Sequence, residues 1–127
     1  MLIKAKSIQS KEEQKRICGE CGVEYDADLM AYAAYDDDEL VGVCQFTMRE
    51  KTGYLYCLAP KTGTYNEDAL FVMGRTALNF IDLVGVHYAV YLGDDAALAK
   101  RVGFSENASS PRFTMDLTGV FTGEHCK

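Results

Sequence analysis

No apolar run in this chain reaches the roughly 20 residues that span a bilayer. Its N-terminus alternates charged and apolar residues where a signal sequence would carry a continuous apolar stretch. A cytoplasmic protein without membrane attachment is therefore expected. Basic residues are scarce, with 13 Lys and Arg against 19 Asp and Glu, a formal charge of -6. That deficit disfavours a nucleic acid or an anionic membrane surface as partner and suits a cationic small-molecule amine. The five cysteines are an odd number, and Cys44 and Cys57 lie inside strand-like apolar runs, so reduced thiols are expected instead of a disulfide framework. No internal repeat, linker or low-complexity segment interrupts the 127 residues. At 48% hydrophobic, residues 1–127 can bury a core as a single domain without metal or disulfide staples.

Polarity patterns then divide the chain into elements. Leu2 to Ile8 alternates as a half-buried strand does, and Ser10-Lys-Glu-Glu13 matches a capping box that starts a helix ending near Gly19. Leu29 to Tyr35, Leu40 to Met48 and Tyr54 to Ala59 are strand-like runs separated by the turns Asp36 to Glu39 and Thr52-Gly53, which predicts an antiparallel meander. A tight turn near Lys51 to Gly53 puts Cys44, Phe46 and Met48 on one face with Leu55, Cys57 and Ala59. The opposite face, with Val41, Val43, Gln45, Tyr54, Tyr56 and Leu58, is too apolar for open solvent, so helices are expected on both sides of the sheet. Asn66 is a suitable N-cap for the longest helix, whose apolar positions from Ala69 to Val84 recur at helical spacing until Gly85. Val86 to Leu92 is the next strand, and a strand, helix, strand unit predicts one parallel pair. Asp94 or Asp95 caps a short helix that Gly103 ends, a loop runs from Ser105 to Pro111, and Arg112 to Leu117 is the last strand. The expected class is α+β.

Leu58-Ala-Pro60 at the end of a strand, the crossover helix, and Leu98-Ala-Lys-Arg-Val-Gly-Phe104 together resemble the N-acetyltransferase (GNAT) family over nearly the whole chain. The resemblance implies a mixed, mostly antiparallel sheet with one parallel strand pair, and an acyl-CoA lying where the fourth and fifth strands splay. It implies Leu58 and Ala59 as the backbone that bonds the pantetheine arm, with Gly63 and Thr64 at the phosphate end. It also implies transfer of an acetyl group from acetyl-CoA to a small amine. The family's glycine-rich pyrophosphate turn is replaced by Thr62-Gly-Thr-Tyr-Asn-Glu-Asp68. Backbone amides at a helix start hold an anion only where it can come close. Glu67 and Asp68 oppose it, each like-charge pair at about 5 Å and an effective dielectric of about 20 costing roughly 3 kcal/mol before screening. The same carboxylates also suit the macrodipole of a first helical turn. Two readings follow from this loop, a divergent acyltransferase and a non-catalytic module of the same fold that does not bind acetyl-CoA.

Many family members carry a tyrosine after the leucine of the last helix to protonate the departing thiolate, and this chain has Ala99. The catalytic candidates are the phenols Tyr56 and Tyr88, on strands near the expected splay, and His87 as a general base. Their ordinary roles are amphipathic packing for the tyrosines and a helix C-terminal partner for the histidine. Cys18-Gly-Glu-Cys21 has the spacing of a redox or zinc pair, but it sits at a helix end beside Glu20, and zinc would need His125 and Cys126 to fold back. No metal is expected. Arg75, Asn79 and Asp82 form a polar line that is either a hydrogen-bonded seam or the register of a homodimer. Val120 and Phe121 are expected to dock on the sheet or on a second subunit.

Overall fold

The computed structural model describes residues 2–107 and 110–121. Its elements in chain order are β1 (Ile3–Ser7), α1 (Lys11–Glu20), β2 (Met30–Asp36), β3 (Glu39–Arg49) and β4 (Thr52–Pro60). There follow α2 (Glu67–Leu83), β5 (Tyr88–Tyr91), α3 (Ala96–Val102), β6 (Ser105–Asn107) and β7 (Ser110–Asp116). One sheet runs β1-β2-β3-β4-β5-β7-β6, antiparallel throughout except for the parallel pair β4 and β5 that the α2 crossover joins. This is the α+β class and the mixed sheet expected.

The helix starts are set locally. The side chains of Ser10, Asn66 and Asp95 accept from the backbone N–H of Glu13, Ala69 and Leu98 at 3.1, 3.0 and 3.0 Å. Each cap satisfies a donor that the first turn leaves free, worth about 1 kcal/mol. Within the expected loop, Ser105–Asn107 instead form the edge strand β6, with Ser105 facing Thr114 and Glu106 facing Phe113. Polar residues hid it, because an edge strand needs only backbone partners and no apolar face.

Two bulges correct the expected assignment of sheet faces. Between β2 and β3, Ala34 pairs with Gly42 but Tyr35 with Leu40, leaving Val41 as the extra residue. Between β3 and β4, Gln45 pairs with Cys57 but Phe46 with Leu55, leaving Tyr56 extra. An inserted residue flips every side chain after it. Cys57 and Ala59 therefore leave the face of Cys44 and Phe46, while Leu58 and Val41 join it. The first face packs Val41, Cys44, Phe46, Leu55 and Leu58 under Leu70, Met73, Leu78 and Ile81 of α2 and Leu98 and Val102 of α3. The second packs Ala33, Val43 and Ala59 under Ile17 and Cys18 of α1 and its C-cap residue Cys21. Full burial of each large aliphatic side chain contributes about 1.5 to 3 kcal/mol. Helices thus cover both faces, as expected.

Close packing of α2 on the sheet depends on Gly42, where a Cβ would meet Leu70 Cδ2 at 2.8 Å and the Ala59 carbonyl oxygen at 2.9 Å. Two members of the polar line on α2 bond within the chain, Arg75 donating to the Val102 carbonyl at 2.8 Å and Asp82 pairing with His87. Phe121 is buried in the core under the Arg75 guanidinium, with Val120 packed beside it, so these two residues dock within the chain. Among the described residues no helix is long and apolar enough to cross a membrane.

Candidate functional site

The sheet opens between its two parallel strands. Gly53, Tyr54 and Leu55 of β4 pair with Ala89, Val90 and Tyr91 of β5, and Leu92 N–H closes the ladder on the Leu55 carbonyl at 2.8 Å. Beyond Leu55, β4 continues to Pro60 bonded to β3 alone among the described strands. The bulge residue Tyr56 stands at the divergence, where the extra residue increases the bend of the strand. Leu58 and Ala59 lie in the portion of β4 that has left β5. Their side chains are buried on opposite faces, in the α2 and α1 clusters respectively, so only their backbone borders the gap.

On the α1 face an open cavity of about 680 Å³ adjoins this divergence, lined by Glu24, Tyr25, Asp26, Gln45, Tyr56 and Cys57 among others. Its wall is the segment 23–29, and two buried glutamines hold that segment in place. Gln14 Nε2 donates to Gln45 Oε1 at 3.0 Å and reaches the Asp26 and Leu29 carbonyls at 3.3 Å. Gln45 Oε1 accepts from Asp26 N–H at 3.3 Å, and Gln45 Nε2 donates to the Glu24 carbonyl at 2.8 Å. Every buried side-chain polar atom described has a partner. The carboxylates of Glu24 and Asp26 remain exposed at the cavity. Tyr56, a predicted site residue, lines it too and accepts from Arg49 Nη1 at 3.0 Å. Cys57 lies at its base, where burial raises the thiol pKa against the opposing effect of the Gln45 amide.

On the α2 face Tyr91 ends β5 and packs in the core. Its ring lies against Phe104 at 5.7 Å between centroids, and its hydroxyl accepts from Asp95 N–H at 3.3 Å. Burial raises the phenol pKa; the Asp95 amide opposes this, and the charges of Asp95, Asp94 and Cys57 add to it. Ala99 is fully buried.

His87 and Tyr88 stand elsewhere. Tyr88 begins β5 and His87 precedes it, while the β4 pairing ends at the other end of β5, about 13 Å further along for His87 at an extended rise of about 3.3 Å per residue. His87 Nδ1 is 2.6 Å from Asp82 Oδ1, a pair with a side chain in the last turn of α2. The structure therefore removes both from the gap.

At the start of α2, Gly63 takes a positive φ of 84° with open space around it, and Thr64 N–H closes a turn on the Lys61 carbonyl at 2.9 Å. Glu67 and Asp68 do form the first helical turn, but sequence reasoning missed their partner, Arg101 of α3. Its guanidinium lies 2.8 Å from Asp68 Oδ1 and 3.6 Å from Glu67 Oε2. No local signal links residues 33 positions apart. Cys18 and Cys21 pack under α1, where burial pushes their thiols to about 11 and about 12 and so keeps them protonated. Among the described residues no three His, Cys, Asp or Glu converge to hold a metal, and His125 and Cys126 lie outside those residues.

No family model and no curated protein matches the sequence. Solved structures do match its fold. A GNAT family acetyltransferase from Brucella melitensis in complex with acetyl-CoA is similar with a TM-score of 0.68 and 14% identity, over 91% of this chain and 88% of that one. The PaiA N-acetyltransferase of Thermoplasma acidophilum in complex with coenzyme A is similar at 0.65 and 13%, over 91% and 98%. The IAA acetyltransferase of Bacillus cereus is similar at 0.67 and 18%, over 84% and 79%. The chain has the GNAT fold.

Proposed function

We propose that this chain, built on the GNAT fold, is a divergent acyl-CoA-dependent N-acyltransferase acting on a small amine. The observation that carries the reading is the gap between β4 and β5 with an acid-lined cavity beside it on the α1 face. The free backbone of Leu58 and Ala59 would hold the pantetheine arm, and Gly63 and Thr64 would lie at the phosphate end with Arg101. Gly63 fits an approaching anion because nothing fills the space a Cβ would take. The acyl donor supplies an activated thioester, so the protein's task is positioning. Glu24 and Asp26 attract the cationic amine, Tyr25 and Tyr56 pack on its carbon body, and Gln45 keeps the wall that carries these groups in place. Holding the two reactants together removes much of the entropic cost of a bimolecular reaction. The proton lost by the amine leaves to solvent at the cavity mouth.

A second reading is a non-catalytic module of the same fold. It is favoured by Ala99 and by the two carboxylates at the start of α2. Calorimetric titration of acetyl-CoA into the wild type and into Glu67→Gln, Asp68→Asn separates the readings. Saturable micromolar binding by the wild type is expected for the acyltransferase. Binding by the neutralised variant alone identifies charge as the block and supports the module. No binding by either abandons the acyl-CoA reading.

A further inference from the structure

The gap and its mouth differ in chemistry. Beyond Leu55, β4 has β3 as its single described strand partner, so one backbone edge between Tyr56 and Pro60 borders the gap. That edge suits a pantetheine arm, an uncharged chain whose two amides can pair with it as an added strand would. The mouth lies where β4 and β5 end, between residues 61–68 and 92–95. These two segments carry Glu67, Asp68, Asp94 and Asp95 against Lys61, and Arg101 of α3 pairs with the first two. Partial burial and then the charges of Asp95 and Glu67 raise the Tyr65 phenol pKa, with Arg101 opposing, so these groups stand around one mouth.

Donors that a phosphate would need there are largely committed. Thr62 N–H bonds the Glu20 carbonyl and Thr64 N–H the Lys61 carbonyl, both at 2.9 Å, while the Asn66 side chain takes the Ala69 N–H. The Lys61 charge is felt by Cys21 on the α1 side. Gly63 leaves a nucleotide room but brings it no charge.

We infer that the donor is held by its acyl-pantetheine arm and that the nucleotide of acyl-CoA adds little affinity, so an acyl-pantetheine thioester lacking that nucleotide serves equally well. This rests on the acyltransferase reading. With either donor the amine nitrogen bonds to the thioester carbonyl carbon and the carbon–sulfur bond breaks, its electron pair staying on sulfur. The amine loses a proton to solvent, and the departing thiolate takes one from it. What differs is the charge carried into the mouth, where attraction to Arg101 and repulsion from the carboxylates offset one another.

Calorimetry with acetyl-CoA and acetylpantetheine tests this. Wild-type dissociation constants for the two should agree within about fivefold, and a larger loss for acetylpantetheine overturns the inference. In Glu67→Gln, Asp68→Asn, acetyl-CoA binding should tighten roughly fivefold while acetylpantetheine binding stays unchanged. An equal change for both ligands overturns the inference, because the carboxylates would then act through the fold and not on the phosphates. Acetylation of hydroxylamine, with acetylpantetheine free in solution and with acetyl-phosphopantetheine on a carrier protein, tells a diffusible donor from a carried one. Turnover with either supports the inference, and turnover with acetyl-CoA alone overturns it. If acetyl-CoA binds and acetylpantetheine does not, the acyltransferase reading stands without this inference. If neither binds, both fall.

Discussion

Arg101 of α3 donates to Asp68 of α2 across 2.8 Å, and its guanidinium lies over the Phe71 ring, 4.7 Å from the centroid. The start of the longest helix is thus joined to the shortest one through a cation that no sequence pattern connects to it. An anion arriving at the N-terminus of α2 meets carboxylates already paired, and it must compete with them for Arg101.

That competition predicts opposite effects from its two sides. Glu67→Gln, Asp68→Asn frees the guanidinium and should tighten acetyl-CoA binding roughly fivefold, and Arg101→Ala should weaken it by a similar factor. Calorimetry at two salt concentrations checks both, because screening must shrink the difference. Since the pair is exposed, denaturant unfolding should barely change in either variant.

The cavity wall depends on Gln45. Gln45→Leu keeps the volume but strands the Asp26 N–H and the Glu24 carbonyl and removes one acceptor of the Gln14 amide. A loss of roughly 2 to 4 kcal/mol in urea unfolding is expected. Amide exchange should accelerate across 23–29 far more than in β3. Uniform acceleration would mean that the network stabilises the fold without specifically ordering the wall.

Packing of α2 on the sheet is tested by Gly42→Ala. The added methyl meets Leu70 and, on the other side, a backbone carbonyl that cannot rotate away. Overpacking of this kind costs about 1 to 3 kcal/mol, measurable as a lower denaturant midpoint. An unchanged midpoint would show that α2 can shift outward freely.

Alkaline pH should destabilise the α1 face. The folded pKa values of Cys18 and Cys21, about 11 and about 12, lie above the value near 9 of an exposed thiol. The folded chain therefore keeps protons that the unfolded chain releases. Stability is complete below about pH 9 and falls as pH rises towards 11 or 12, by at most about 1.4 kcal/mol per pH unit for each thiol. Denaturant unfolding between pH 8 and 10.5 tests the slope, and Cys18→Ala, Cys21→Ala should flatten it.

Much of the fold was legible along the chain. Ser10 and Asn66 mark helix starts, and the apolar periodicity from Ala69 to Val84 marks α2, because caps and periodicity are local properties. The face assignment of β4 was not legible. Tyr56 is as apolar as its neighbours, and nothing in its pattern says that it is the residue the ladder skips. His87 and Tyr88 were misplaced for a related reason. The register that sets Ala89 beside Gly53 is decided by how α2 packs across the sheet, so the end of β5 that meets the gap cannot be read from β5 itself.

Local composition alone determined the order of the elements other than β6 and the acidic balance, since these follow from residue type and spacing. Only the tertiary structure decided that β4 loses its β5 partner beside the Tyr56 bulge, that Glu24 and Asp26 line the adjoining cavity, and that Arg101 pairs with Glu67 and Asp68. Each of these is a contact between distant segments. Such contacts arise from bulges and helix packing, whose geometry is a property of the whole sheet and not of any one stretch of chain.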